Sequence, residues 1–179
     1  MLVRHAMPAY GPHLPAHEWT LRADGQAAAT ALVAHLPTGA HLVASAEPKA
    51  WQTLQPAGPV TRDPRFNEVE RDGEPYGGDY RQLRLAYVAG TDHAGWEPRV
   101  RVVERFDAGI ADHLARAGER TLVVASHGMA MTLWLSARVG LDDPTHFWTE
   151  LSLPDAHLVD LAAGTVTRIL PAQLTQPDE

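Results

Sequence analysis

The sequence predicts a single α/β domain, with a largely parallel central sheet flanked by helices on both faces. Short apolar segments typical of strands alternate with segments of helical periodicity along the chain. The chain has 179 residues, 45% of them hydrophobic, which is enough to build one core without disulfides or metals. No repeat or linker divides the chain, so residues 1–179 are expected to form one domain.

The strands are predicted from short apolar runs and the helices from the spacing of apolar residues. Strands are expected at residues 1–4, 40–45, 120–126, 157–161 and 165–170, and a short strand that runs into a loop is expected at 59–66. Helices are expected at residues 24–36, 47–56, 79–88, 97–118 and 127–140. Asp24 is the expected cap of the first helix, and Pro48 suits the first turn of the second. The intervening segments 7–23 and 68–96 are rich in Pro, Gly or Asp and are expected to carry substrate specificity.

Composition excludes several classes of function. The chain has no cysteine, which excludes disulfides, thiolate zinc sites and cysteine nucleophiles. The formal net charge of -7 argues against nucleic acid as a partner. No apolar run is long enough to cross a bilayer and no signal-type pattern begins the chain, so a cytoplasmic protein without a membrane partner is expected. The sequence does not decide the oligomeric state, and a homodimer is one of the possible states.

Three groups of polar residues follow predicted strands. Arg4-His5 ends the first strand, residues 45–49 follow the second, and His127-Gly128 follow the strand at 120–126. In open α/β sheets, ligands bind outside the carboxyl ends of the strands. Two histidines and two cations are therefore expected to meet at one edge of the sheet, beside helix N-termini that favour anions.

This set of residue types suits a phosphate group. Cations and helix N-termini hold a dianion, and a histidine imidazole can attack phosphorus to form a phosphoenzyme. A second histidine can stabilise the charge of the transition state, and a carboxylic acid can protonate the leaving oxygen.

Four segments, "LVRHA", "ASAEPKAWQTL", "RFNEVERDG" and "VVASHGMAM", resemble the landmark motifs of the histidine phosphatase (phosphoglycerate mutase-like) superfamily. They occur in the family's order and cover nearly the whole chain. The resemblance implies a phosphoglycerate mutase-like fold, with His5 as the phosphorylated nucleophile and His127 as the second pocket histidine. It implies that Glu68 is the general acid and base. The residues expected to bind phosphate are Arg4, Lys49, Ser45 and Gly128.

The chain departs from the family pattern at three positions. Ala6 stands where the family has glycine, and Ala44 where it has the first serine of the second motif. Lys49 stands where the family has arginine, and it replaces a planar fork by a point charge. We expect Lys49 to point into the pocket and to bind phosphate less tightly. Candidates for a replacement arginine are Arg62, Arg65 and Arg71.

Several residues have plainer interpretations. A histidine so near the chain start can be frayed, His127 can simply cap a helix, and Glu68 lies among other loop carboxylates. His13 and His17 have the spacing of a metal pair on a helix, but Pro12 and Pro15 argue against that helix. They remain candidates for the substrate entrance, and no metal is expected. The histidines predicted to be surface or interface residues are His35, His41, His93, His113, His146 and His157. The aromatic residues expected in the core are Trp134, Phe147 and Trp148.

Taken together, the motifs favour a cofactor-independent phosphatase that acts on a small phosphorylated metabolite through a phosphohistidine. A mutase that transfers the phosphoryl group to a second hydroxyl is an alternative. A catalytically weakened relative that binds a phosphorylated ligand is another, because Lys49 replaces arginine. The substrate itself is not predicted.

Overall fold

The structure is a computed structural model, and it describes residues 1–74 and 79–170. Within these residues six strands form one sheet, in the order β3-β2-β4-β1-β5-β6. The strands are β1 (Leu2–Arg4), β2 (His41–Ala44), β3 (Thr61–Arg62), β4 (Leu122–Ser126), β5 (Asp155–Asp160) and β6 (Thr165–Arg168). Strands β3, β2, β4 and β1 are parallel to one another. Strand β5 runs antiparallel to β1, and β6 runs antiparallel to β5, with which it forms a hairpin. The expected α/β class is confirmed.

Six α-helices surround the sheet in the described part of the chain. They are α1 (Ala23–Leu32), α2 (Pro48–Leu54), α3 (Tyr80–Ala89), α4 (Arg99–Ala117), α5 (Gly128–Val139) and α6 (Pro144–Glu150). Part of the segment 68–96, residues 75–78, and the end of the chain, residues 171–179, lie outside the described residues.

The two faces of the sheet bury separate apolar clusters. Because side chains alternate along a strand, Val124 of β4 faces one cluster while its neighbour Val123 faces the other. The Val124 side packs against α4 and α5 through residues such as Phe106 and Trp134. The Val123 side packs against Leu32 of α1 and residues of α2. The helices therefore cover both faces, as the sequence predicts.

Strand β1 lies in the centre of the sheet. It pairs in parallel with β4 and antiparallel with β5, so that Arg4 lies opposite both Ser126 and Asp155. The amide of His5 continues the ladder by donating to the carbonyl of Ser126 over 3.0 Å. Because β1 is paired on both sides, His5 does not lie in a frayed chain end.

Some expectations are wrong in detail. Asp24 does not cap α1: the helix begins at Ala23, and Asp24 lies in its first turn, where it pairs with Arg22. His113 and His157 are buried rather than exposed, because His113 lies on the inner face of α4 and His157 lies on β5 beside β1. Among the described residues, none of the helices is both long and apolar enough to cross a bilayer.

Helix α6 is not among the predicted elements. Asp143 caps it by accepting a hydrogen bond from the amide of His146, and Pro144 occupies its first turn. This helix carries Phe147 and Trp148, which are partly buried against the core and not fully inside it.

Candidate active site

The three predicted groups of polar residues meet at the carboxyl edge of the sheet. Strands β2, β4 and β1 are neighbours and parallel, so the residues that follow them emerge side by side. The ring centroids of His5 and His127 are 5.1 Å apart. Ser45 and Lys49 lie at the same place, since Ser45 contacts His127 and the Lys49 charge acts on both histidines.

His5 is held through one nitrogen of its ring. Its Nδ1 lies 2.8 Å from the carbonyl oxygen of Ala6, and a carbonyl can only accept, so Nδ1 carries the proton. Nε2 is therefore the nitrogen with the lone pair. The pKa of His5 lies well below its usual value, first because burial disfavours the charged form and then because His127, Lys49 and Arg4 are nearby. A neutral imidazole with a fixed tautomer is the form that acts as a nucleophile.

His127 is oriented by a short hydrogen-bond chain. The hydroxyl of Ser45 donates to Oδ1 of Asn67 over 2.8 Å, and Asn67 Oδ1 also accepts from the amide of Ala46. With its one proton used, Ser45 Oγ accepts from His127 Nε2 at 2.8 Å. The pKa of His127 also lies well below its usual value, chiefly through burial. His127 is therefore neutral in the free protein, with its Nε2 proton donated to Ser45, and its buried Nδ1 has no partner among the described residues.

Glu68 is a partly buried carboxylate that lies beside the N-terminus of α5. Its oxygens accept hydrogen bonds from the backbone amides of Val69, Met129 and Ala130 over 3.0 to 3.3 Å. Burial by itself raises its pKa, but His127, Arg71 and the backbone donors outweigh it and leave the pKa below its usual value. Glu68 is thus ionised in the free protein, and the helix N-terminus stabilises that charge.

Arg4 reaches across the edge of the sheet towards α5 and α6. One of its terminal nitrogens donates to the carbonyl of Leu151, while its buried Nε has no partner among the described residues. Burial lowers the pKa of Arg4 to about 10, which leaves it charged at neutral pH. A Cβ on Gly128 would lie 3.4 Å from Arg4 Nε and 3.0 Å from Trp148 Nε1, so the glycine makes room for both groups.

The charge of Lys49 lies near the two histidines, and its ammonium contacts a residue that the sequence does not single out. Its ammonium donates to the carbonyl of Ala16 over 2.7 Å and forms an ion pair with Oε2 of Glu47. Oε1 of Glu47 accepts from the amide of Glu68 over 2.7 Å and lies 3.5 Å from Nε2 of His127. Glu47 and Lys49 are 7% and 5% exposed. A glutamate in a strand-to-helix turn is usually solvated, so only its place two residues before Lys49 could have suggested this role.

The family model of the histidine phosphatase superfamily (branch 1) matches residues 1–167. The chain belongs to this superfamily. No curated protein sequence matches it.

Solved structures resemble this histidine phosphatase in fold at low sequence identity. YhfR of Bacillus stearothermophilus is 17% identical, with a TM-score of 0.72 over 97% of this chain and 96% of its own. A Thermus thermophilus protein, TTHB049, is 23% identical, with a TM-score of 0.66 over 96% of this chain and 98% of its own. A mycobacterial glucosyl-3-phosphoglycerate phosphatase, solved in complex with inorganic phosphate, is 18% identical, with a TM-score of 0.65 over 96% of this chain and 94% of its own.

The three arginines that are candidates to replace the family's arginine at position 49 lie in different surroundings. Arg62 stacks over the ring of Trp51, with its guanidinium 3.8 Å from the ring centroid. Arg65 pairs with Asp63 and Asp112. Of the three, Arg71 is the one whose charge lowers the pKa of Glu68, Lys49 and His127. Arg71 is therefore the arginine of the three that lies near this histidine phosphatase site.

His13 and His17 do not share a helix. His17 lies in a single 3₁₀ turn, Ala16–Glu18, and its nearest acidic partner is the exposed Glu18 at 3.6 Å. Within residues 1–74 and 79–170, no group of three or more His, Asp or Glu side chains is arranged to hold a metal ion.

Proposed function

We propose that this protein is a phosphomonoester hydrolase that acts on a small phosphorylated metabolite through a phosphohistidine, without a cofactor. The observation that carries the proposal is the state of His5: neutral, with Nδ1 hydrogen-bonded to the Ala6 carbonyl and Nε2 free, beside His127 at the sheet edge. Membership of the superfamily supports it, as does the phosphate-bound phosphatase among the structural neighbours.

In the first step, Nε2 of His5 attacks phosphorus while the ester bond to the alcohol oxygen breaks. Arg4, Lys49 and the amide of Gly128 stabilise the phosphoryl oxygens, and His127 joins them when its Nε2 proton turns from Ser45 Oγ to the phosphoryl group. Ser45 holds the His127 ring in place beside the bound group. The free Nε of Arg4 is a donor that a phosphoryl oxygen would satisfy.

Glu68 transfers protons at both steps. A negative phosphoryl group brought next to its carboxylate raises the pKa of Glu68, so Glu68 can take up a proton and deliver it to the leaving alcohol oxygen. In the second step Glu68 removes a proton from the water that attacks the phosphohistidine. This step releases phosphate and regenerates neutral His5.

Two other functions remain candidates. A mutase would use the same histidine but pass the phosphoryl group to a second substrate hydroxyl. A weakened relative that only binds a phosphorylated ligand is favoured by one observation, the Glu47–Lys49 ion pair, because it occupies the cation that would replace the family's arginine.

Turnover of an aryl phosphate by the His5→Ala variant tests the proposal. We expect phosphate release to fall to background, because the variant lacks the nucleophile that forms the intermediate. The matched control is His35→Ala, which removes an exposed histidine in the turn that follows α1. Phosphate release that survives His5→Ala would reject the assignment, and a wild-type protein that binds phosphate without turnover would establish the binding alternative.

A further inference from the structure

Glu47 is a buried carboxylate with partners on both of its oxygens. Oε2 pairs with the ammonium of Lys49, and Oε1 accepts from the amide of Glu68 and faces Nε2 of His127 at 3.5 Å. Its backbone is held by other contacts than those of the carboxylate, since its amide donates to Ser45 Oγ and its carbonyl accepts from the amide of Ala50. Displacement of the carboxylate would therefore leave these backbone hydrogen bonds in place.

The partners of Glu47 are also groups that the proposed reaction needs. A phosphoryl group presents oxygens that accept from cations and N–H donors, and a carboxylate presents two oxygens of the same kind. Lys49 and His127 belong to the proposed phosphate-binding set. Glu47 pairs with Lys49 and lies 3.5 Å from Nε2 of His127, whose proton is donated to Ser45. The carboxylate thus satisfies the Lys49 ammonium, which would otherwise bind a phosphoryl group.

Burial supports the same interpretation. His5 is 8% exposed and His127 is fully buried, although a nucleophile must be reached by the phosphorus atom. Two open clefts of the surface, of about 410 and 450 Å³, are lined by other residues and do not reach these histidines. In the free protein the two histidines are therefore largely covered by neighbouring residues.

A purely structural ion pair is the plainer interpretation. Burying two opposite charges brings little net stability, since desolvation offsets their attraction. A structural pair with Lys49 accounts for the position of Oε2. It does not account for the position of Oε1, which faces His127 and accepts from the amide of Glu68. These contacts place the whole carboxylate among anion-binding groups.

We propose that Glu47 sets the affinity of this site for phosphoryl groups by acting as an internal ligand that a phosphoryl group must displace. The inference rests on the proposed function, which makes this edge a phosphate pocket. Displacement opposes the binding of every phosphoryl group equally, so ligands without further contacts bind weakly. Free phosphate is therefore a poor inhibitor, and the favoured substrates are phosphomonoesters whose organic part contributes binding of its own.

Phosphate affinity measured by calorimetry tests the inference, using wild type, Glu47→Gln and Glu47→Ala with inorganic phosphate as the probe. Glu47→Gln keeps the size of the side chain and removes its charge, so it guards against loss of the fold. We expect both variants to bind phosphate at least about tenfold more tightly, because a buried negative charge beside the site is removed. The control is Glu70→Gln, an exposed carboxylate nearby, with unchanged affinity expected.

Unchanged or weaker phosphate binding in both Glu47 variants would overturn the inference. Trapping of phosphorylated His5 in the same proteins separates this failure from that of the proposed function. If His5 is phosphorylated while phosphate affinity does not respond to Glu47, only the inference fails. If the Glu47 variants bind phosphate more tightly but His5 is never phosphorylated, the anion pocket stands and the hydrolase mechanism fails.

Discussion

At the scale of single residues, hydrogen bonds to backbone and neighbouring side chains decide what each pocket group can do. His5 and His127 are both neutral, but their tautomers differ: His5 presents a lone pair and His127 presents a proton. This difference separates a nucleophile from a donor. Sequence could predict that the two histidines meet, since both follow parallel strands, but not their tautomers, which depend on Ala6, Ser45 and Asn67.

Glu68→Gln tests the acid-base role of this carboxylate. The variant keeps an acceptor for the α5 amides but transfers no proton, so kcat with an alkyl phosphate is expected to fall by about 10² to 10⁴. An aryl phosphate, whose leaving group needs little protonation, is expected to phosphorylate His5 at a rate closer to wild type. Rapid-quench kinetics with both substrates measures this difference. Equal losses of the phosphorylation rate for the two substrates would argue against Glu68 as the general acid.

The ion pair of Glu47 and Lys49 makes a separate prediction for stability. Lys49→Met leaves a buried carboxylate without its cation and is expected to lower the free energy of unfolding by about 3–5 kcal/mol. Adding Glu47→Gln is expected to recover part of this loss. The control is Arg22→Met in the exposed pair with Asp24, where little change in the free energy of unfolding is expected. Denaturant unfolding of the single and double variants gives the coupling, and additive losses would show that the pair is not coupled.

At the scale of elements, parallel strands explain why the site is largely predictable. Strands β2, β4 and β1 end at one edge, and the apolar runs that form them are clear in sequence. Helix α6 escapes prediction although Asp143 followed by Pro144 is a recognisable start signal, because the helix is one short stretch of seven residues with little periodicity. Periodicity alone also misplaces Leu114. Its helical spacing with other apolar residues of α4 would predict burial, but Leu114 is 45% exposed because the buried face of α4 runs through His113 and Ala117.

Gly25→Ala tests how α1 packs against the segment that follows His5. A Cβ at this position would lie 2.1 Å from the carbonyl oxygen of Met7, a backbone atom that cannot move without its segment. We expect a loss of about 1–3 kcal/mol in the free energy of unfolding, despite the better helix propensity of alanine. The control is Gly11→Ala, where no atom lies within 4 Å of the added Cβ. Equal stability of the two variants, measured by denaturant unfolding, would contradict the packing described for α1.

At the scale of the whole molecule, the buried histidines link folding to pH. His5 and His127 have a pKa well below 6.5 in the folded protein, whereas unfolded histidines titrate near that value. Below pH 6.5 the unfolded state therefore binds protons that the folded state does not, and the free energy of unfolding falls as pH falls.

For two such histidines the slope approaches about 3 kcal/mol per pH unit once the unfolded histidines are charged. Denaturant unfolding between about pH 7.5 and 5 measures it, above the range where most carboxylates titrate. The double variant His5→Gln/His127→Asn is expected to have a much shallower slope. A slope that is the same in the variant would show that other groups cause the pH dependence.

The central claim is that His5 carries the phosphoryl group during turnover. Rapid quenching into alkali during hydrolysis of an aryl phosphate, followed by peptide mass spectrometry, tests it most directly, with Glu68→Gln used to slow the release of the phosphoryl group. We expect one phosphoryl group on the peptide that contains His5, and none in His5→Ala. Turnover with no phosphorylated histidine, or with the phosphoryl group on His127 instead, would contradict it.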